Sequence, residues 1–321
     1  MPVTEQESTT TLREASDTRL RPFLEAYWLR PENAFWMALR SWALSNAELE
    51  APSLDLSCGD GIFTFLHLGG RLDPAFDVFG ATGHLNKVTT EHADMFDFVD
   101  QAYQPGVIQK PDQKMTCGSD WKSSLLSKAE RIAVYEELTQ HDNNQPLPWS
   151  DATFKTIYSN SIYWVKQLEK LLVELKRVLK PDGKLILHVK LSRMRDFSLA
   201  PWSDKLGDAT MDIIGRGRFE SWPNLLSQTE WEQKFRAAGF EITDQRPFVN
   251  GTHARIWDVG LRPIAPLLVR MANALQPDTR SSIKEDWVNL FLDLLKPICQ
   301  ANFDILGTDQ PVELQYTLSP L

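Results

Sequence analysis

The chain has 321 residues, 42% hydrophobic and 24% charged, an ordinary globular composition with room for one large α/β domain or two small ones. A net charge of −9 lacks the basic footprint of a nucleic-acid-binding protein and points to a small-molecule substrate. Cys58, Cys117 and Cys299 are too few and too scattered for a disulfide framework or a Cys-rich metal site, so no metal is expected.

Residues 1–19 are polar and rich in Ser, Thr and Glu. They read as a flexible tail without the basic and apolar regions of a secretory signal. No apolar run reaches the roughly 18 residues of a membrane span, and the expected location is cytoplasmic. Within an N-terminal helical unit over 20–50, Arg21 to Ser45 has apolar residues at helical spacing broken near Pro31, which predicts two short helices. Ser53 to Leu56 is a short buried strand, Gly59 and Gly61 mark a tight turn, and Ile62 to Leu68 starts a helix. Strand, Gly turn and helix is the unit that opens doubly wound folds.

Further elements alternate in the same style. Strands are expected at Lys114–Gly118, Phe154–Ser159, Lys184–Lys190 and Phe240–Thr243. Helices are expected at Ser123–Leu138, at Leu168–Leu179 (stopped by Pro181-Asp182-Gly183) and at Thr229–Ala238, capped by Gly239. This predicts an α/β core over 51–247, a doubly wound, mostly parallel sheet. Two segments interrupt it. Residues 70–113 form an insertion with apolar runs around Phe76–Phe79 and Met95–Val99. Residues 248–310 are mostly helical and too long for a plain loop, hence a cap over a pocket or a homodimer surface. In 311–321, Val312–Leu318 alternates like a final edge or antiparallel strand.

The stretch Asp55-Leu56-Ser57-Cys58-Gly59-Asp60-Gly61 puts glycines where the chain turns against a ligand and a helix N-terminus faces it. It resembles motif I of the class I S-adenosylmethionine-dependent methyltransferases. Gly118-Ser119-Asp120-Trp121 looks like that family's second-strand motif. His141-Asp142-Asn143 with Leu147-Pro148-Trp149-Ser150-Asp151 is similar to its adenine-binding stretch. Leu175-Lys176-Arg177-Val178-Leu179-Lys180-Pro181-Asp182-Gly183-Lys184-Leu185 matches its block before the fifth strand. The four motifs stand in family order over about Leu54 to Leu191. Ser57 departs from the pattern, standing where the first glycine is usual. Asp77-Val78-Phe79-Gly80 lies nearer than Asp120 to the usual second-strand spacing, but has no acid at its end. Asp120 is preferred because a helix follows it.

The resemblance implies a seven-stranded Rossmann-like sheet and S-adenosylmethionine as cofactor, bound by Asp55, Ser57, Cys58, Gly59, Gly61, Asp120, Trp121, Asp142, Asn143 and Asn160. Asp120 would accept hydrogen bonds from both ribose hydroxyls and Asp142 one from the adenine amine. Asn143 could offer a backbone N–H to a ring nitrogen, and Asp55 would contact the methionine end or order the turn. Transfer would take place beside Ser159-Asn160-Ser161-Ile162-Tyr163-Trp164. Tyr163 is a candidate catalytic residue there, and Tyr163, Trp164 and Trp257 would bind the substrate. Aromatic faces also attract a sulfonium.

No general base stands out. His253, at the entry to the helical segment, is the preferred candidate over His84, His92, His188 and His141. Arg193, Arg195, Arg216 and Arg218 could hold an acidic substrate group or lie on solvated surface. With no Asn/Asp-Pro-Pro-Tyr sequence after the fourth strand, an O- or N-methyltransferase of small molecules is favoured. A nicotinamide-dependent oxidoreductase would want a third glycine where Thr64 stands. A non-catalytic protein keeping the fold as a scaffold is the remaining alternative.

Overall fold

The computed structural model describes residues 18–80, 103–215, 222–260, 262–304 and 310–321. Seven strands form its main sheet: β1 (Ser53–Leu56), β2 (Met115–Asp120), β3 (Tyr135–Gln140), β4 (Phe154–Ser159), β5 (Leu179–Lys190), β6 (Phe240–Asn250) and β7 (Pro311–Pro320). Their spatial order is β3-β2-β1-β4-β5-β7-β6. Neighbours run parallel except β7, which pairs antiparallel with β5 and β6. The sheet is thus doubly wound and mostly parallel. Its central strands have no solvated face: all of β1 is buried, as are Ile186 to Lys190 of β5.

Two helices precede the sheet, one over residues 18–26 (α1) and α2 (Pro31–Leu44). Proline at its first position, where no N–H is needed, starts α2. Then come α3 (Ile62–His67), α4 (Ser123–Ile132), α5 (Leu168–Val178) and α6 (Gln228–Ala237). Before the last strand lies a helical insertion of α7 (Gly251–Val259), α8 (Ala265–Asn273) and α9 (Pro277–Asp304). No described helix is long and apolar enough to cross a membrane.

Segment 70–113 is closed at its base by a two-stranded antiparallel ribbon, Arg71–Leu72 with Val107–Gln109. Asp77 accepts from the Trp28 indole at 2.8 Å and pairs with Arg280 at 2.7 Å. Lys284 donates to the carbonyls of Pro74 and Phe76. The first insertion is thereby tied to the N-terminal helices and to α9. Met95–Val99, His84, His92, Arg216, Arg218 and residues 1–17 lie outside the described residues.

Several elements differ from the sequence expectation, among them the fifth strand, which starts at Leu179 rather than Lys184. The helix expected over Ser123–Leu138 ends at Ile132, where Ala133 turns left-handed at φ 57°, and Tyr135–Gln140 becomes β3. As an edge strand β3 leaves Glu136 and Glu137 exposed, so its pattern does not alternate like a half-buried strand. The last strand is antiparallel, one of the two expected alternatives, and lies between β5 and β6 rather than at the edge. The strand expected at Phe240–Thr243 runs on to Asn250, held by its pairing with β7.

Candidate active site

The C-terminal ends of β1 to β4 meet where the strand order reverses on either side of β1, the place where open α/β sheets bind ligands. Ser57, Gly59 and Gly61 all have left-handed backbone, at φ 65°, 62° and 76°. For Ser57 this costs on the order of 1 kcal/mol, and its Oγ accepts from Asn143 Nδ2 at 2.8 Å. A Cβ on Gly59 would meet no atom within 4 Å, so the backbone there borders open space. A Cβ on Gly61 would approach Tyr135 Cε2 to 3.1 Å and Ala129 Cβ to 3.2 Å. The first glycine leaves room for a ligand and the second permits packing.

Asp120 ends β2 and is buried. Its carboxylate accepts the Gly59 N–H at 3.1 Å and the Lys122 N–H at 3.0 Å. Burial raises its pKa, and these two hydrogen bonds oppose the rise. The same group fixes the Gly turn and the start of the segment after β2. After β3, Asp142 accepts from the Asn144 N–H at 2.9 Å, which lowers its pKa. Asn144 Oδ1 in turn accepts the N–H groups of Lys166 and Gln167, at 2.9 and 3.2 Å, joining the β3 loop to the segment after β4.

These loops enclose a cavity of about 610 Å³, in the range of small-molecule sites. It is lined by Ser57, Asp120, Trp121, Asp142, Asn143, Asn160, Tyr163 and Trp164 among the expected residues. Lys122, Leu125, His141, Asn144, Ser161, Val165 and Lys166 complete the lining. Trp121 is 63% exposed and Trp164 50%, so each presents a large ring to ligand or solvent.

Gly59 and Gly61 shape the turn without lining the cavity, and four further expected site residues stand elsewhere. Asp55 is buried beneath the turn, where the hydroxyls of Thr64 (2.5 Å) and Tyr135 (2.7 Å) both donate to its Oδ2. Desolvation lifts its pKa to about 6; it ties β1 to α3 and β3 and does not line the cavity. Cys58 is buried and its thiol pKa is pushed well up by burial. His253 does not line the cavity. It is buried in the capping box that starts α7, where Nδ1 accepts the Asn250 N–H at 3.1 Å and its own N–H donates to Asn250 Oδ1 at 3.0 Å. A nitrogen so engaged is not a base for a substrate. Trp257 packs on Trp222, ring centres 6.0 Å apart, behind Tyr163 rather than in the lining.

A second cluster abuts Tyr163. Glu313 of β7, fully buried, pairs with Arg40 of α2 at 2.6 Å and Lys190 of β5 at 3.4 Å and accepts from the Trp36 indole. Burial would raise the Glu313 pKa, but the two cations hold it below the usual carboxylate range. Sequence reading missed this cluster and Tyr135. No local signal marks the cluster: Glu313 alternates with Val312 and Leu314 and so reads as solvent-facing.

A sequence model described as a methyltransferase domain matches residues 27–245. The chain belongs to the methyltransferase family. This family implies S-adenosylmethionine as methyl donor. Among curated proteins, nothing matches the chain. Similar solved structures include the [4+2]-cyclase SpnF, at 15% identity and TM-score 0.44, covering 88% of this chain and 82% of that one. A geranyl diphosphate methyltransferase in complex with S-adenosylmethionine has 12% identity and TM-score 0.42, covering 91% and 90%. A possible histamine N-methyltransferase from Thermotoga maritima has 17% identity and TM-score 0.40, covering 70% and 82%. None is near enough to bear on the chemistry of the site.

Proposed function

We propose that the protein transfers the methyl group of S-adenosylmethionine to an oxygen or nitrogen of a small-molecule acceptor. The observation that carries this reading is the cavity at the sheet's reversal point, which gathers Ser57, Asp120, Asp142, Asn143, Asn160 and Tyr163 from four loops. The donor set fits the cofactor. Gly59 leaves space where a Cβ would stand, and Asp120 brings a buried carboxylate suited to two hydroxyls. Asp142 and Asn143 offer an acceptor and donors for an adenine edge.

When bound, S-adenosylmethionine supplies a methyl group on a sulfonium with a neutral thioether as leaving group. Asp120 would hold the ribose, Asp142 and Asn143 the adenine, and Asn160 and Tyr163 would border the transfer position. Trp164 and Tyr163 offer ring faces that favour a sulfonium. With so good a leaving group, alignment and exclusion of water supply much of the acceleration.

Residues 248–310 would act as a cap or a homodimer surface. Leu267, Met271, Leu290 and Leu294 are large exposed apolar side chains on α8 and α9, and light scattering would report a dimer. The reaction itself is tested by incubating the protein and S-adenosylmethionine with a metabolite panel, followed by mass spectrometry. A product heavier by one methylene unit, formed with S-adenosylhomocysteine, supports the reading. Cofactor binding without transfer to any acceptor would favour a scaffold.

A further inference from the structure

Tyr163 is held from two sides by cations that share one carboxylate. Its ring lies against the Lys190 ammonium, with Nζ 5.3 Å from the ring centre. Its hydroxyl oxygen faces Arg40 Nη2 at 3.5 Å. Lys190 and Arg40 both pair with Glu313. The rings of Trp36, Trp222 and Trp257 stand around the same ammonium at 4.2, 5.1 and 5.6 Å. Charges buried like this are expensive unless geometry and hydrogen bonding compensate them. Their placement directly behind a cavity-lining residue suggests a role beyond packing.

Hydrogen-bond capacity gives the direction. A guanidinium has donors and no acceptor, so the Tyr163 oxygen can only accept from Arg40. The one proton of the phenol must therefore be given elsewhere, and no hydrogen bond among the described residues receives it. Tyr163 is 5% exposed and lines the cavity. Arg40 Nε, beside it, is also buried without a partner among the described residues. An unmatched donor on a cavity-lining residue, backed by a buried cation, calls for a group that accepts.

We infer that Arg40, anchored by Glu313, is a positioning residue that commits the Tyr163 hydroxyl to donate into the cavity. The acceptor group it recognises is then an ionised oxygen acid, a carboxylate or acidic phenol, and not an ammonium. An ammonium would face donors and the Arg40 charge. The inference rests on the methyltransferase reading and makes it an O-methylation. An oxyanion lone pair forms the O–C bond while the S–C bonding pair leaves on sulfur as a neutral thioether. The negative charge and the sulfonium charge cancel and no proton moves, so the reaction needs no general base.

The test uses benzoate and benzylamine as probes, titrated into protein saturated with S-adenosylhomocysteine. Benzoate is expected to bind the wild type and benzylamine not. Tyr163→Phe and Arg40→Met should each weaken benzoate at least about tenfold, the loss of one hydrogen bond to a charged group. Arg40→Met, whose side chain is outside the cavity lining, should bind S-adenosylhomocysteine within about twofold of wild type, a change of less than one weak hydrogen bond, and Tyr163→Phe should unfold at the wild-type temperature, which certifies their folding. Arg40→Lys, which keeps the charge and a donor, should recover part of the benzoate affinity. Benzylamine binding as tightly as benzoate, no benzoate binding, or benzoate binding indifferent to Tyr163→Phe would overturn the inference. Failure of the wild type to bind S-adenosylhomocysteine would remove the methyltransferase reading itself.

Discussion

The two walls around Tyr163 are built in opposite ways. The wall toward Asp120 consists of loops that each follow a strand, and its polar groups hydrogen-bond mainly to backbone: Asp120 to Gly59 and Lys122, Asp142 to Asn144, Asn144 to Lys166 and Gln167. The wall toward Glu313 is made of side chains from α2, β5 and β7 that pair with one another. In the first, chemistry is encoded within a few residues of a Gly turn or strand end. In the second, it exists only after the chain has closed. The first can lose a polar group to water at modest cost, whereas the second has no water to fall back on.

That contrast predicts a graded series of effects. The largest belongs to Glu313→Ala, which would leave Arg40 and Lys190 buried without their carboxylate. Urea unfolding should register a loss of about 3–5 kcal/mol. A loss below about 1 kcal/mol, the worth of an exposed pair, would break the comparison, since it would mean the cluster is solvated.

Next comes Asp55, beneath the first wall. Its folded pKa of about 6 lies above the 3.8 of a free side chain. The native state therefore holds a proton that the unfolded chain releases, and stability falls as pH rises between those values. Asp55→Asn keeps an oxygen for both the Thr64 and Tyr135 hydroxyls, which share Oδ2. Its stability relative to wild type should therefore grow from about pH 4 to pH 6 and level off above, by about 3 kcal/mol in all. A difference constant with pH would show that Asp55 titrates normally.

Asp120→Ala removes a carboxylate assigned two hydroxyl contacts. Its affinity for S-adenosylhomocysteine should fall on the order of 100-fold, read by calorimetry. Arg40→Met, in the second wall, should leave that affinity almost untouched. Equal losses from both variants would merge the walls into one site.

The smallest effect concerns the α4–β3 junction. Ala133 occupies a left-handed position at φ 57° that glycine takes without strain. Ala133→Gly should stabilise by up to about 1 kcal/mol, measured by thermal melting. A clear destabilisation would mean that the junction is not left-handed.

The same contrast explains what could be read from the chain. Ser57, Asp120, Asp142 and Asn143 stand at strand ends within recognisable local patterns, and the structure brings them to one cavity. The helix expected over Ser123–Leu138 overran because its terminator is an alanine, not a glycine, and Tyr135–Gln140 is an edge strand with exposed glutamates. His253 looked like a base because it opens a cap, yet its ring is spent on capping that helix. Arg40 and Glu313 gave no local sign. A charged residue in an amphipathic helix or an alternating strand reads as solvent-facing, and only tertiary closure turns it inward.

Calorimetric titration of the wild type with S-adenosylmethionine, S-adenosylhomocysteine and NADH tests the central claim most directly. Both adenosyl ligands should bind and NADH should not. Binding of NADH, or of neither adenosyl ligand, would contradict a methyl-transfer site in the cavity between Ser57 and Trp164.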